Sequence, residues 1–139
     1  MKYDKVNDAD TRGQYFEPDA DFELTVSRVM EHEGTNGDFF IVETIVDKCE
    51  KYPDAIGEQR VWLQKVGPKI PWERELRAFA CAVCKLDPSD KSLPVGKLLE
   101  AAVKDEKFNG LKVKLTTQGT LSKEKKTPFT RHIWKQASA

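Results

Sequence analysis

A mainly β chain, folded as a partly open five-stranded barrel with helices between its third and fourth strands, is the architecture this sequence predicts. Three observations carry it. Four stretches alternate apolar and polar residues with the period of two that a half-buried strand requires, and a fifth, at 39–50, is an extended run apolar on both faces. The stretch after Pro71 switches to helical spacing, with Trp72, Leu76, Phe79, Ala80 and Val83 on one face. Turn residues separate the alternating runs: Asn-Gly at 36–37, Tyr52-Pro53-Asp54, and the segment Gly119 to Pro128, rich in Gly, Ser, Thr, Lys and Pro.

The first strand is expected over Asp21–Glu31, with Phe22, Leu24 and Val26 facing inward and Val29 breaking the parity, which signals a bulge. The second, Phe39–Glu50, is apolar on both faces: Phe39, Ile41 and Ile45 compete with Phe40, Val42 and Val46 for the core. In the third, Gln59–Val66, Val61 and Leu63 are expected inward and Arg60, Trp62 and Gln64 outward. Pro71 suits the first position of a helix, and Glu73 and Glu75 complement its positive end. A second helix is expected over Pro94–Asp105, striped by Val95, Leu98, Leu99, Ala102 and Val103. The fourth strand places Leu111, Val113 and Leu115 against Lys112, Lys114 and Thr116. The fifth, Phe129–Lys135, places Phe129 and Ile133 on one face and Thr130, His132 and Trp134 on the other.

The 139 residues suit one domain, expected over 14–136, after an acidic, flexible arm (1–13) and before a short tail (137–139). Formal net charge is zero, but the charge is segregated. Residues 1–59 hold six basic and fifteen acidic side chains, 60–110 hold ten and seven, and 111–139 hold seven and one. A basic, aromatic-bearing ribbon is the kind of surface that tracks a phosphate backbone and stacks bases. It is equally the kind of hairpin whose lysines prevent edge-to-edge association. The amino terminus lacks the apolar core of a secretory signal, and no apolar stretch approaches a membrane span. With three cysteines, an odd number, a reducing, cytoplasmic setting is expected and no membrane partner.

Three strands, a helical insertion and two strands is the order of the OB-fold, whose second and third strands and flanking loops bind oligonucleotides. Further motifs follow that order: Gly-Asp-Phe-Phe-Ile-Val-Glu at 37–43, Gly-x-x-x-x-Trp at 57–62, Phe79 in mid-helix, and Phe-Thr-Arg-His-x-Trp at 129–134. In these the chain resembles phage-encoded OB-fold single-stranded-DNA-binding proteins, over roughly residues 14–136. The resemblance implies sequence-tolerant binding and protection of single-stranded DNA in phage replication or recombination, within the infected cell. It also implies partners among phage replication or recombination proteins, although the WKQASA terminus lacks the acidic tail through which many such proteins recruit them.

The candidate nucleic-acid-binding residues are Arg60, Trp62, Gln64 and Lys65 on the third strand, and Lys112, Lys114, Lys123, Lys125, Lys126, Arg131 and Trp134 on the ribbon. Trp62 and Trp134 are expected to offer stacking faces. The alternative is a non-enzymatic OB-fold component that serves protein interaction or assembly. No enzyme, metal or cofactor is expected. Cys81-x-x-Cys84 lies deep in a helix rather than at its amino terminus, where a reactive thiol would sit, and reads as core. Cys49, His32 and His132 show no zinc-ligand spacing, and the aspartates at 4, 8, 10, 19 and 21 do not follow a calcium loop.

Overall fold

A computed structural model of the chain describes residues 15–35, 37–67, 72–121 and 128–137. The expected arm and Lys123, Lys125 and Lys126 lie outside the described residues, as does Pro71. The elements run β1 (Asp21–His32), β2 (Asp38–Lys48), β3 (Gln59–Val66), α1 (Trp72–Cys84), α2 (Val95–Lys104), β4 (Lys112–Leu121) and β5 (Pro128–Gln136). The strands form one antiparallel sheet in the order β3-β2-β1-β4-β5. This is the mainly β, partly open barrel expected, with both helices between β3 and β4. Among the described residues no hydrogen-bonded ladder joins β3 to β5. Side chains meet there instead: the Trp62 and Trp134 rings lie 5.0 Å apart.

Local sequence explains the curvature. In β1 the register against β2 slips between Val26 and Arg28, so Val29 returns to the core after Val26 and the strand bends. That bend lets one strand pair with β2 along most of its length and with β4 at its start. The ambiguous parity of β2 resolves to Phe40, Val42, Thr44 and Val46 inside, leaving Phe39, Ile41 and Ile45 half-buried on the outer face. Thr44, fully buried, donates its hydroxyl to the Arg60 carbonyl at 2.9 Å, which satisfies the one polar group on that inner row. Helix α1 plugs the barrel. Phe79 packs on Trp134 (4.9 Å), Trp62 (5.6 Å), Phe108 (5.8 Å) and Phe40 (6.2 Å).

The expected facing of β3 is reversed at Trp62 and Leu63, although Val61 is buried. Trp62 is 3% exposed and Leu63 is 36% exposed. Register decides it, because Trp62 stands opposite Val42, and cross-strand partners share a face. The polar neighbours that made this face look outward are satisfied at the barrel's rims, Arg60 by carboxylates and Gln64 by the Lys65 carbonyl (2.9 Å). A buried indole removes more apolar area from water than any other side chain available on this strand. Trp134 is likewise internal, 6% exposed and opposite Leu115, so in β5 the row of His132 and Trp134 faces the core while Ile133 faces outward, half-buried. Val113 and Leu115 are buried as expected, but Leu111 precedes β4 and is 39% exposed.

The segment from Tyr15 to Ala20 acts as a clasp across the open seam. Tyr15 forms a parallel bridge with Val61 of β3. Phe16 inserts its ring among Phe22, His132 and Trp134. Both Glu17 oxygens accept hydrogen bonds from the Arg60 guanidinium at 3.0 Å, a fork-on-fork pairing. On the other side, Thr117 donates its hydroxyl to the Glu17 carbonyl (2.7 Å) and its amide to the Ala20 carbonyl (2.9 Å). The Asp19 carboxylate takes the Gly119 amide (3.0 Å). Here glycine is required by proximity, since a Cβ at position 119 would stand 2.9 Å from the Pro18 Cβ.

Candidate nucleic-acid interface

With the inner rows committed to the core, a ligand-binding surface has to be built from the outer face of the sheet. On β1, β2 and β3 its rows follow from register: His32–Phe39–Lys65, then Met30–Ile41–Leu63, then Arg28–Glu43–Val61. Phe39, Ile41 and Met30 are half-buried and Leu63 is exposed, so an apolar strip with one phenyl ring crosses three strands. Tyr15, bridged to Val61 and 51% exposed, extends the strip past the edge of β3. Arg28 and Lys65 are exposed at its margins. The Lys65 stem lies across the β1–β2 turn, where a Cβ on Gly37 would meet its Cε at 2.9 Å.

The eight described residues among those expected to bind nucleic acid divide into four groups. Arg60, Trp62 and Trp134 are buried, and none presents a face or charge to a strand on the surface. Arg60 is already neutralised by Glu17 and by Glu58 (3.0 Å to each), and these hydrogen bonds hold its guanidinium firmly charged. Gln64 is half-buried on the inner row. Lys65 and Arg131 are exposed and project from the outer face, Arg131 opposite Gln118. Lys112 is exposed but engaged, donating to the Thr25 hydroxyl (2.7 Å) and the Asp47 carboxylate (3.2 Å). Lys114 lies half-buried on the same face, between Glu23 and Lys135 in register. The ribbon's cations are thus partly offset by acids of β1 and β2, a pairing between distant segments that sequence position does not reveal.

No family model and no curated protein sequence matches this chain.

Phe39, Ile41, Leu63 and Tyr15 were missed as surface residues. The signal was present in β2, where two apolar rows compete and only one can face the core. The other row had to be surface, and its phenyl ring was the group to follow.

The remaining reactive side chains are committed to packing. Burial pushes the Cys81 and Cys84 thiols up from their ordinary values, away from the thiolate form that chemistry needs. Among the described residues, no group of three or more His, Cys, Asp or Glu side chains is placed to hold a metal, and no helix is long and apolar enough to cross a membrane. His132, between the Phe16 and Trp62 rings at the seam, has its pKa lowered by burial from 6.5 to about 4. The neutral form is the one that folds. Its contribution is fully present above pH 6.5 and is lost as pH falls toward 4. The loss should reach about 3 kcal/mol, because each pH unit between those two values is worth about 1.36 kcal/mol. Urea denaturation across this interval should show stability falling with pH, and His132→Phe should flatten that slope. An unchanged slope in the variant would assign the acid sensitivity elsewhere.

Proposed function

We propose that this protein binds single-stranded DNA, without strong sequence preference, along the outer face of β1, β2 and β3. One observation carries the reading: an apolar strip containing Phe39 and Tyr15 lies on the solvent side of the sheet, between the cationic margins Arg28 and Lys65. Rings on the solvent side of a sheet suit bases, every one of which has a π-face, and flanking cations suit the phosphates. Arg131 on β5 is a further exposed cation of the outer face. The resemblance in sequence to phage single-strand-binding proteins supports a role in protecting strands during replication or recombination.

Fluorescence anisotropy with labelled oligo(dT) at two salt concentrations tests this. Phe39→Ala should weaken binding by about 1–3 kcal/mol, the usual worth of one base–ring stack. Lys65→Gln should reduce the slope of log affinity against log salt by about 0.7. If wild-type protein ignores oligo(dT) at low salt, the reading fails. The same strip then favours the alternative, an OB-type barrel that uses this face for a protein partner.

A further inference from the structure

The outer face continues beyond Phe39 into a recess. One register position past the Phe39–Lys65 pair, Asp38 stands opposite Val66, and the paired rows of β2 and β3 end there at the barrel's rim. Gly34 and Gly37 of the β1–β2 turn carry no side chains to fill the space beside that pair, and Trp72 and Glu73 at the start of α1 bound it on the other side. The open recess so formed measures about 600 Å³, ample for a nucleobase.

Its lining combines a ring with acceptors. Trp72 is half-buried, whereas the other two tryptophans of the chain, Trp62 and Trp134, are committed to the core. Trp72 is therefore the indole that a ligand in solvent can reach. Asp38 and Glu73 are exposed, and neither makes a hydrogen bond or ion pair with another described residue. Glu73 lies in the first turn of α1, where the positive end of the helix offsets its charge without occupying its lone pairs. At the mouth stands a cation: the Lys65 ammonium lies 3.7 Å from the place a Cβ on Gly37 would take.

A carboxylate accepts hydrogen bonds and donates none, so these walls select among bases. On the Watson–Crick edge that a single strand leaves free, guanine presents two adjacent donors, N1–H and the N2 amino group. They match the two oxygens of one carboxylate as the fork of an arginine does. Cytosine and adenine offer one amino group beside a ring acceptor. Thymine offers one N–H between two carbonyl oxygens, which would be set against the carboxylates.

We propose that the recess takes one guanine base, stacked on Trp72, with its N1–H and N2 amino group donating to Asp38 or Glu73 and its phosphate at Lys65. That this guanine belongs to a strand lying on the apolar strip rests on the function proposed above; its recognition by the recess does not. The face then prefers one base at one position and tolerates any base elsewhere.

Intrinsic fluorescence with dGMP and dTMP, corrected for absorbance by the nucleotide, tests the recess alone. dGMP should quench wild-type emission more than dTMP does, and Trp72→Phe should abolish that difference, because the remaining indoles are buried. Equal quenching by the two nucleotides in wild type, or a difference that survives in Trp72→Phe, overturns the proposal.

Anisotropy with oligo(dT), and with the same oligonucleotide carrying a single deoxyguanosine, tests the placement on a strand. The deoxyguanosine should tighten binding about tenfold, within the usual range for one bidentate base contact. Deoxyinosine there, which lacks the N2 amino group, should lose most of that gain. The ratio of the two affinities should fall to about one in the double variant Asp38→Ala, Glu73→Ala, and as a ratio it is insensitive to the variant's general loss of negative charge. Equal affinities in wild type, beside a positive dGMP result, overturn the placement and make the recess a site for a free guanine nucleotide. Failure of wild type to bind either oligonucleotide removes the function proposed above, while the dGMP arm still decides the recess.

Discussion

Trp62→Ala is expected to destabilise the protein by about 3–5 kcal/mol, the cost of deleting a large aromatic from a packed core. Its ring is 3% exposed and contacts Phe79, Trp134 and His132 at centroid distances of 5.0–6.2 Å, so truncation opens a cavity where β3, β5 and α1 meet. Collapse into that cavity is restricted, because the neighbouring rings are held by different elements. Leu63→Ala, one residue along and 36% exposed, should cost far less. Urea titrations of the two variants make the comparison. The opposite order of stabilities would mean that β3 has been placed with the wrong face inward. At a temperature where Trp62→Ala remains folded, its affinity for oligo(dT) should match wild type.

Glu17→Ala should cost about 3 kcal/mol, at the lower end of the range for breaking a buried ion pair. The guanidinium of Arg60 is only 6% exposed, and removing its bidentate partner leaves that charge with Glu58 and the Gln59 carbonyl. The exposed acid is the control: Glu58→Ala should stay within about 1 kcal/mol, as expected for a partner in solvent. A pH consequence follows. The hydrogen bond from Arg60 is the main cause that holds the Glu17 carboxyl below its ordinary value of 4.5. The stabilisation is therefore fully present above that value and is lost as pH falls through the lowered pKa. It acts in the same direction as His132 but at lower pH, so acid unfolding should show two successive losses. Thermal melts from about pH 7 to about pH 3 would separate them, and Glu17→Gln should remove only the lower one.

Much of the fold was legible because local signals agreed. Alternation located four strands and a long apolar run the second, the Val29 parity break located the bulge, and the spacing of Leu76, Phe79 and Val83 located the plugging helix. The facing of β3 and β5 was not legible, for a physical reason. Alternation says that residues share a face and leaves open which face is buried. In β3 the polar residues Arg60 and Gln64 belong to the same row as Trp62, and hydropathy assigned that row to solvent. Its burial depends on Glu17, 43 positions away, whose carboxylate neutralises Arg60. The candidate site inherited that error. Once Trp62 and Trp134 turn inward, the phenyl and phenol rings left on the outer face of β1, β2 and β3 among the described residues are Phe39 and Tyr15, whose placement depends on strand register rather than on their own neighbours in sequence.

The clasp also imposes an order on events in time. Its bonds join Glu17 to Thr117 and Asp19 to Gly119, each across 100 positions of chain, whereas the β1–β2 turn brings together residues a few positions apart. During synthesis the hairpins of β1, β2 and β3 can form as they emerge, but the seam cannot be clasped until Gly119 has been made. Until then Arg60 lacks the β4 contacts that hold Glu17 in place, and the inner face of β3 waits for Trp134. Contacts of such separation slow folding and leave apolar surface open in the interval. A nascent chain of this sequence therefore carries an unfinished barrel edge until β5 emerges to cover it.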